Sequence, residues 1–187
     1  ILMNSFPGPM SSWPQPFSAD ATTSATPLGI LNEGGQFTPD YLQLFIGNRG
    51  GCLGETCAVA LLIGFVYLLV RKVITPTIPL FYIGTVAVLS LAMGRDVLVD
   101  LLCGGLLLGA IFMATDYTTS PITFKGKIIY AIGCGCLTMI IRNFGSLPEG
   151  VSYSIILMNI LTPLIERVTK PHAFGAPLKK GKGAAKS

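Results

Sequence analysis

The densest cluster of reactive side chains in this sequence is Asp20-Ala21-Thr22-Thr23-Ser24-Ala25-Thr26, where hydroxyls sit among alanines behind a single carboxylate. A hydroxyl flanked by small residues is open to an enzyme that must reach and modify it, and a nearby acid can orient it. The same composition also suits a solvent-exposed loop in which Ser and Thr act as turn formers. Composition alone leaves both readings standing.

Further along, Glu55, Asp100 and Asp116 lie close to long apolar stretches. Burying a charge in lipid is expensive, so Asp100 and Asp116 are candidates for an ion path. Each acid falls at the end of a stretch, however, where an interface or helix-terminal donors can solvate it, and the boundary reading is preferred. Asp100 follows Arg95 by five residues, which allows a local ion pair. Asp116 opens Asp-Tyr-Thr-Thr-Ser-Pro, a sequence suited to a turn that closes the preceding stretch. Arg142 is a candidate for stabilising an anionic group on its side of the protein; the preferred alternative is an arginine that snorkels from a span end.

The five cysteines offer little metal chemistry. No Cys-x-x-Cys occurs, and the only histidine, His172, lies near the C-terminus, which argues against zinc. Cys134 and Cys136 would point to different faces of a helix. Cys103 sits among leucines, where a thiol behaves as a small hydrophobe. An iron or iron–sulfur site shared with another protein of a complex is the minority reading.

The elements that must position these groups follow from composition. Of 187 residues, 51% are hydrophobic and 12% charged, and the mean hydropathy is +0.65. A soluble domain carries about 25% charged residues, so a disordered chain, an ordinary water-soluble globule and a nucleic-acid binder are all disfavoured. Five apolar stretches, near 52–70, 77–94, 98–115, 126–142 and 151–168, approach the roughly 20 residues a helical span requires. The expected fold is an all-α membrane protein in three parts: an outer segment over 1–51, a five-helix domain over 52–170 and a basic tail over 171–187. Gly105 and Gly109, and Gly133 and Gly135, are read as points of close helix packing.

Orientation follows from the basic residues. Arg71, Lys72, Lys125, Lys127, Arg167, Lys170, Lys179, Lys180, Lys182 and Lys186 fall on one side, and only Arg49, Arg95 and Arg142 on the other. This imbalance places the tail in the cytoplasm and residues 1–51 on the exoplasmic side. The opening ILMNSFPGPM has no initiator Met and no basic region before a cleavage site. It reads as the interior of a longer membrane protein, whose N-terminal half is missing, cleaved or a separate chain.

The run from Asp20 to Thr26 resembles the flavinylation motif D-x-x-[ST]-G-A-T. That motif belongs to membrane subunits of the Rnf complex and of the sodium-pumping NADH:quinone reductase. Gly94 to Pro121 and Arg142 to Glu166 also resemble that family's membrane region and C-terminal end. The D-subunit family of the Rnf complex, through its C-terminal half, is the first choice, and the B-subunit family of the quinone reductase the second. The resemblance implies one five-span half of a two-repeat, ten-helix protein in a bacterial or archaeal cytoplasmic membrane. It implies FMN attached through its phosphate to Thr26, with Asp20, Thr23, Ser24 and Ala25 as supporting positions; Ser24 stands where glycine is common. It further implies a flavin transferase acting on the exoplasmic side, where charge counting independently places Thr26. A riboflavin is expected with the other half of that protein. The implied activity is electron transfer within a ferredoxin:NAD oxidoreductase complex that moves Na⁺ or H⁺, with other subunits as partners. A non-redox transporter or channel domain, and a membrane scaffold, are the rival readings.

Overall fold

The computed structural model of the chain describes residues 12–14, 23–25, 41–47, 54–145 and 150–169. The expected tail over 171–187 lies outside them. In the outer segment, β1 (Ser12–Pro14) pairs antiparallel with β2 (Thr23–Ala25), with Trp13 opposite Ser24. This short ladder is a local departure from the all-α expectation. A short helix, α1 (Tyr41–Ile46), follows.

The remaining described chain is helical. α2 (Ala58–Val70) and α3 (Thr77–Ala92) carry unbroken apolar sequence and are joined by the tight turn over 71–76. α6 (Phe124–Phe144) begins at Thr123, whose hydroxyl accepts from the Gly126 amide at 3.1 Å, an N-cap bond that satisfies one of the unpaired donors of the first turn. α7 (Val151–Thr169) contains Pro163, a residue that membrane helices tolerate. α6 and α7 are long and apolar enough to cross a membrane, while α2 and α3 are shorter apolar helices.

The third expected span is not one helix. It divides into α4 (Val97–Leu102) and α5 (Leu106–Leu108), which runs on as a π-helical turn over Gly109–Met113. The break has a local cause. Cys103 is extended, and Gly104 and Gly105 take φ of 72° and 66°, a left-handed conformation that only glycine adopts without cost. The first expected stretch, 52–70, is helical only from Ala58 onward.

The main core lies between α3, α6, α7 and the inner half of the broken segment. Tyr82, Val86, Leu106, Ala110, Tyr130, Cys134 and Ile155 meet there. Three of the four glycines expected to allow close packing do so, while Gly105 belongs to the break and lies against the Glu55 side chain. Gly109 abuts Val151 of α7, Gly133 abuts Met158 of α7, and Gly135 abuts Thr85 of α3. Large apolar side chains also cover the outside, among them Ile63, Val66 and Val70 on α2, Val88 and Leu91 on α3, and Ile160 and Leu164 on α7. Exposed apolar surface on this scale is a liability in water and natural against hydrocarbon.

The two ends of the helix bundle differ in charge. Lys127 Nζ donates to Thr75 Oγ1 at 3.3 Å, Tyr117 donates to the Val73 carbonyl, and the Ile122 amide donates to Glu166 Oε1 at 3.1 Å. These bonds gather the connections holding Arg71, Lys72, Lys125 and Lys127 at one end. Arg95, Asp100 and Arg142 gather at the other.

Candidate functional site

The end of the bundle opposite the lysines carries α1 and a buried ionic cluster, and the β1–β2 ladder precedes α1 in the chain. In the outer segment, the structure describes the backbone of Thr23, Ser24 and Ala25 as strand β2, in register with Pro14, Trp13 and Ser12 respectively. Thr26 is the residue immediately after that strand. Thr26 and Asp20 themselves lie outside the described residues. The supporting positions Thr23, Ser24 and Ala25 therefore belong to a hydrogen-bonded ladder, an arrangement that holds the chain extended up to the residue before the candidate threonine.

The ionic cluster is built on the helix break. A helix of six residues leaves most of its carbonyls without intrahelical partners, and α4 ends on that problem. Arg142, from the last turn of α6, resolves it. Its Nη1 donates to the Asp100 carbonyl at 2.6 Å, and its Nη2 reaches the Cys103 and Gly104 carbonyls at 3.2 and 3.3 Å. The side chain is 1% exposed. Arg142 is therefore no snorkelling residue, because its guanidinium points into the protein and not toward water. Three main-chain carbonyls of the break are among its partners.

Asp100 lies beside it, also 1% exposed. Ser90 Oγ donates to its Oδ2 at 2.6 Å, and Arg95 donates to both oxygens, from Nε at 3.1 Å and from Nη2 at 3.2 Å. Arg142 Nη1 stands 4.0 Å from Oδ1. The local ion pair with Arg95 expected from spacing is present. Asp100 keeps its place at the end of the bundle, but it is enclosed by α3, α4 and α6, so protein groups and not an interface solvate it. A buried carboxylate is costly unless paired and hydrogen-bonded, and here both oxygens are engaged. Two arginines meet Asp100 here, and Glu55 against Gly105 and Asp96 at the head of α4 add two further carboxylates at this end.

Asp116 is different. It is exposed at the opposite end and accepts hydrogen bonds from the Thr118 and Thr119 hydroxyls. The Thr118 hydroxyl holds its carboxyl below the ordinary carboxylate value. This is the turn-forming role read from Asp-Tyr-Thr-Thr-Ser-Pro. The two ion-path candidates thus occupy opposite ends, and the structure does not bring them together.

α1 ties the outer segment to α4, beside the cluster. Tyr41 donates its hydroxyl to Asp96 Oδ2 at 2.7 Å, and this bond raises the Tyr41 pKa above the ordinary phenol value. Asp96 also caps α4, accepting from the Leu98 amide at 3.1 Å. Leu44 packs on Val99 and Cys103. Sequence reasoning singled out neither Ser90 nor the Tyr41–Asp96 contact. The available signal was the Cys103-Gly104-Gly105 run, which marks a break in an otherwise apolar helix and so a need for a carbonyl partner. Among the described residues, no group of three or more His, Cys, Asp or Glu side chains converges to hold a metal.

The sequence pattern of a family described as NQR2, RnfD, RnfE matches residues 1–175. The D subunit of the Na⁺-translocating ferredoxin:NAD⁺ oxidoreductase complex of Acetobacterium woodii is 51% identical over 178 residues, covering 94% of this chain and 56% of that protein. The D subunit of the proton-translocating ferredoxin:NAD⁺ oxidoreductase complex of Clostridium ljungdahlii is 45% identical, covering 93% of this chain and 58% of that one. The D subunit of the ion-translocating oxidoreductase complex of Stutzerimonas stutzeri is 41% identical, covering 84% and 49%. The chain spans a little over half the length of the first two relatives.

Proposed function

The chain belongs to the NQR2, RnfD, RnfE family, and we propose that it is an electron-transfer part of a membrane complex that couples ferredoxin:NAD⁺ oxidoreduction to movement of Na⁺ or H⁺. The observation that carries this reading is the identity of 51% and 45% to two D subunits of such complexes. Those two relatives are named for different ions, so the proposal covers both. All three relatives described carry the D-subunit name, which favours this reading over a B-subunit-like part of the quinone reductase.

Within that role, we assign Thr26 as the attachment point of a covalent FMN. The residues suit the group in two respects. The attachment chemistry needs an accessible hydroxyl, and Thr26 follows Ala25 at the end of a paired strand. Ser24 and Ala25 are small, so the chain beside the hydroxyl stays narrow enough for a modifying enzyme to engage it. Bound there, FMN would supply both one- and two-electron chemistry. The protein's own part is positional. The β1–β2 ladder fixes the approach to Thr26, and α1 ties the downstream end of the segment to α4. Arg142 serves the helix break there, since its guanidinium donates to three carbonyls of it.

The finer topology belongs to the same proposal: five apolar segments in a bacterial cytoplasmic membrane, residues 1–51 on the exoplasmic side and the C-terminus in the cytoplasm. It is supported by the two charge-distinct ends of the bundle. A flavin transferase, membrane lipid and the other proteins of the complex are the partners. A riboflavin would belong to the region of the relatives that this chain does not span.

The one observation that favours a non-redox carrier is the broken third segment, since carriers often place their sites at unwound helices. Arg142 fills that break. Flavin fluorescence of the denatured protein on a gel separates the two readings. A fluorescent band in the wild type that vanishes in Thr26→Ala supports the flavin assignment. A dark wild-type band from a host with the transferase refutes it.

A further inference from the structure

We infer that Arg142 is a positioning residue: its guanidinium holds the third apolar segment in its broken form and thereby fixes α1, the end of the Thr26-bearing segment, to the bundle. This does not depend on Thr26 carrying flavin.

α4 has six residues, too few to sustain a helix by its own hydrogen bonds. It persists because both of its ends are held. At the first end, Asp96 accepts from the Leu98 amide and from the Tyr41 hydroxyl. At the other, three acceptors at the break, the carbonyls of Asp100, Cys103 and Gly104, converge on the one guanidinium. That guanidinium belongs to α6, the longest helix among the described residues. Arg142 is thus the polar tie between a rigid helix and a short one that cannot hold itself. Because Leu44 packs on Val99 and Cys103, whatever fixes α4 also fixes α1.

The side-chain type follows from the geometry. The carbonyls are shared between two nitrogens, Nη1 and Nη2, and a planar fork with several N–H donors can serve them together, where an ammonium on a flexible stem serves fewer. Asp100 has a subsidiary part. Its carboxylate is bound mainly by Ser90 and Arg95 and stands 4.0 Å from Arg142. It balances charge; the carbonyl bonds hold the break.

The test uses two buried thiols that differ in place. Cys103 lies in the break at 1% exposure, and Cys134 lies in the middle of α6 at 0%. The purified complex in detergent is treated with N-ethylmaleimide, and peptide mass spectrometry gives a labelling rate for each cysteine. In the wild type both should be protected. Arg142→Gln, which loses charge-assisted hydrogen bonds, should raise Cys103 labelling by about tenfold or more while leaving Cys134 protected. Arg142→Lys should fall between wild type and Arg142→Gln, and Asp100→Asn should open Cys103 less than Arg142→Gln does. If the Gln variant does not assemble, the Lys variant carries the comparison of Cys103 with Cys134. Unchanged Cys103 protection in the Arg142 variants overturns the inference. So does an equal rise at Cys103 and Cys134, which would mean general loosening, or an Asp100→Asn effect as large as that of Arg142→Gln. Loss of the flavin band in all proteins, with the labelling order intact, would sink the flavin reading and leave this inference standing.

Discussion

Gly133 and Gly135 lie two residues apart on α6 and face different neighbours, so alanine at each asks the same question of two surfaces. At Gly133 an added Cβ would stand 2.5 Å from Met158 Cε and 2.8 Å from its Sδ. Met158 has an unbranched, flexible side chain that can swing aside. At Gly135 the Cβ would stand 2.7 Å from Thr85 Cβ, 2.8 Å from Thr85 Cγ2 and 3.3 Å from the Tyr82 carbonyl. Thr85 is branched at Cβ, and its hydroxyl is bonded to the Phe81 carbonyl at 2.7 Å. It cannot retreat without moving α3. Replacing glycine by alanine in a helix interior gains about 1 kcal/mol at either position. Overpacking against a fixed neighbour costs about 1–3 kcal/mol. Gly133→Ala should therefore be neutral or slightly stabilising, and Gly135→Ala destabilising by up to about 2 kcal/mol. For a chain of this size each kcal/mol lowers the melting temperature by roughly 2–4 °C. Thermal unfolding of the purified protein in detergent reads the difference. Equal shifts, or a larger loss at Gly133, would refute the argument that α3 and α6 meet through a glycine that has no room for a methyl group.

Two further expectations concern the lysine-bearing end. Thr123→Ala removes the cap of α6 and the hydroxyl that donates to Thr169 Oγ1 at 2.8 Å; it should cost about 1 kcal/mol in thermal or denaturant unfolding, with Thr123→Ser largely retaining stability. The lowered pKa of Asp116 means that its contribution to the turn is complete above the ordinary carboxylate value of 3.8 and is lost only as pH falls through a lower one. Hydrogen exchange of the Ser120 amide, bonded to the Asp116 carbonyl at 3.1 Å, should thus stay slow through that ordinary value and quicken below it; quickening well above it would contradict the assignment.

Apolar patterning located α2, α3, α6 and α7 because side chains facing hydrocarbon and side chains facing the core are of the same kind. That equivalence also explains what patterning missed. The stretch 98–115 is apolar throughout, and nothing in its hydropathy distinguishes one helix from two pieces. The distinguishing feature is backbone freedom at Gly104 and Gly105, which hydropathy does not register and which small size alone does not reveal. Once the break is recognised, it demands a donor, and Arg142 becomes a buried carbonyl ligand and not a surface anchor. Asp100 followed the same course: its spacing from Arg95 revealed the ion pair, but Ser90 and Arg142 come from other helices and leave no local trace. Asp116 was legible because its partners are its own neighbours. The β1–β2 pairing was not, since three-residue strands in a Pro- and Ser-rich segment carry no periodic signal.

The central claim is that this segment presents a hydroxyl for covalent flavin, and its most direct test is mass spectrometry of the peptide containing Thr22, Thr23, Ser24 and Thr26. Protein from a host with the flavin transferase should yield a peptide heavier by FMN less one water, with fragmentation placing the group on Thr26. An unmodified peptide, or an adduct on Thr22, Thr23 or Ser24, would contradict it.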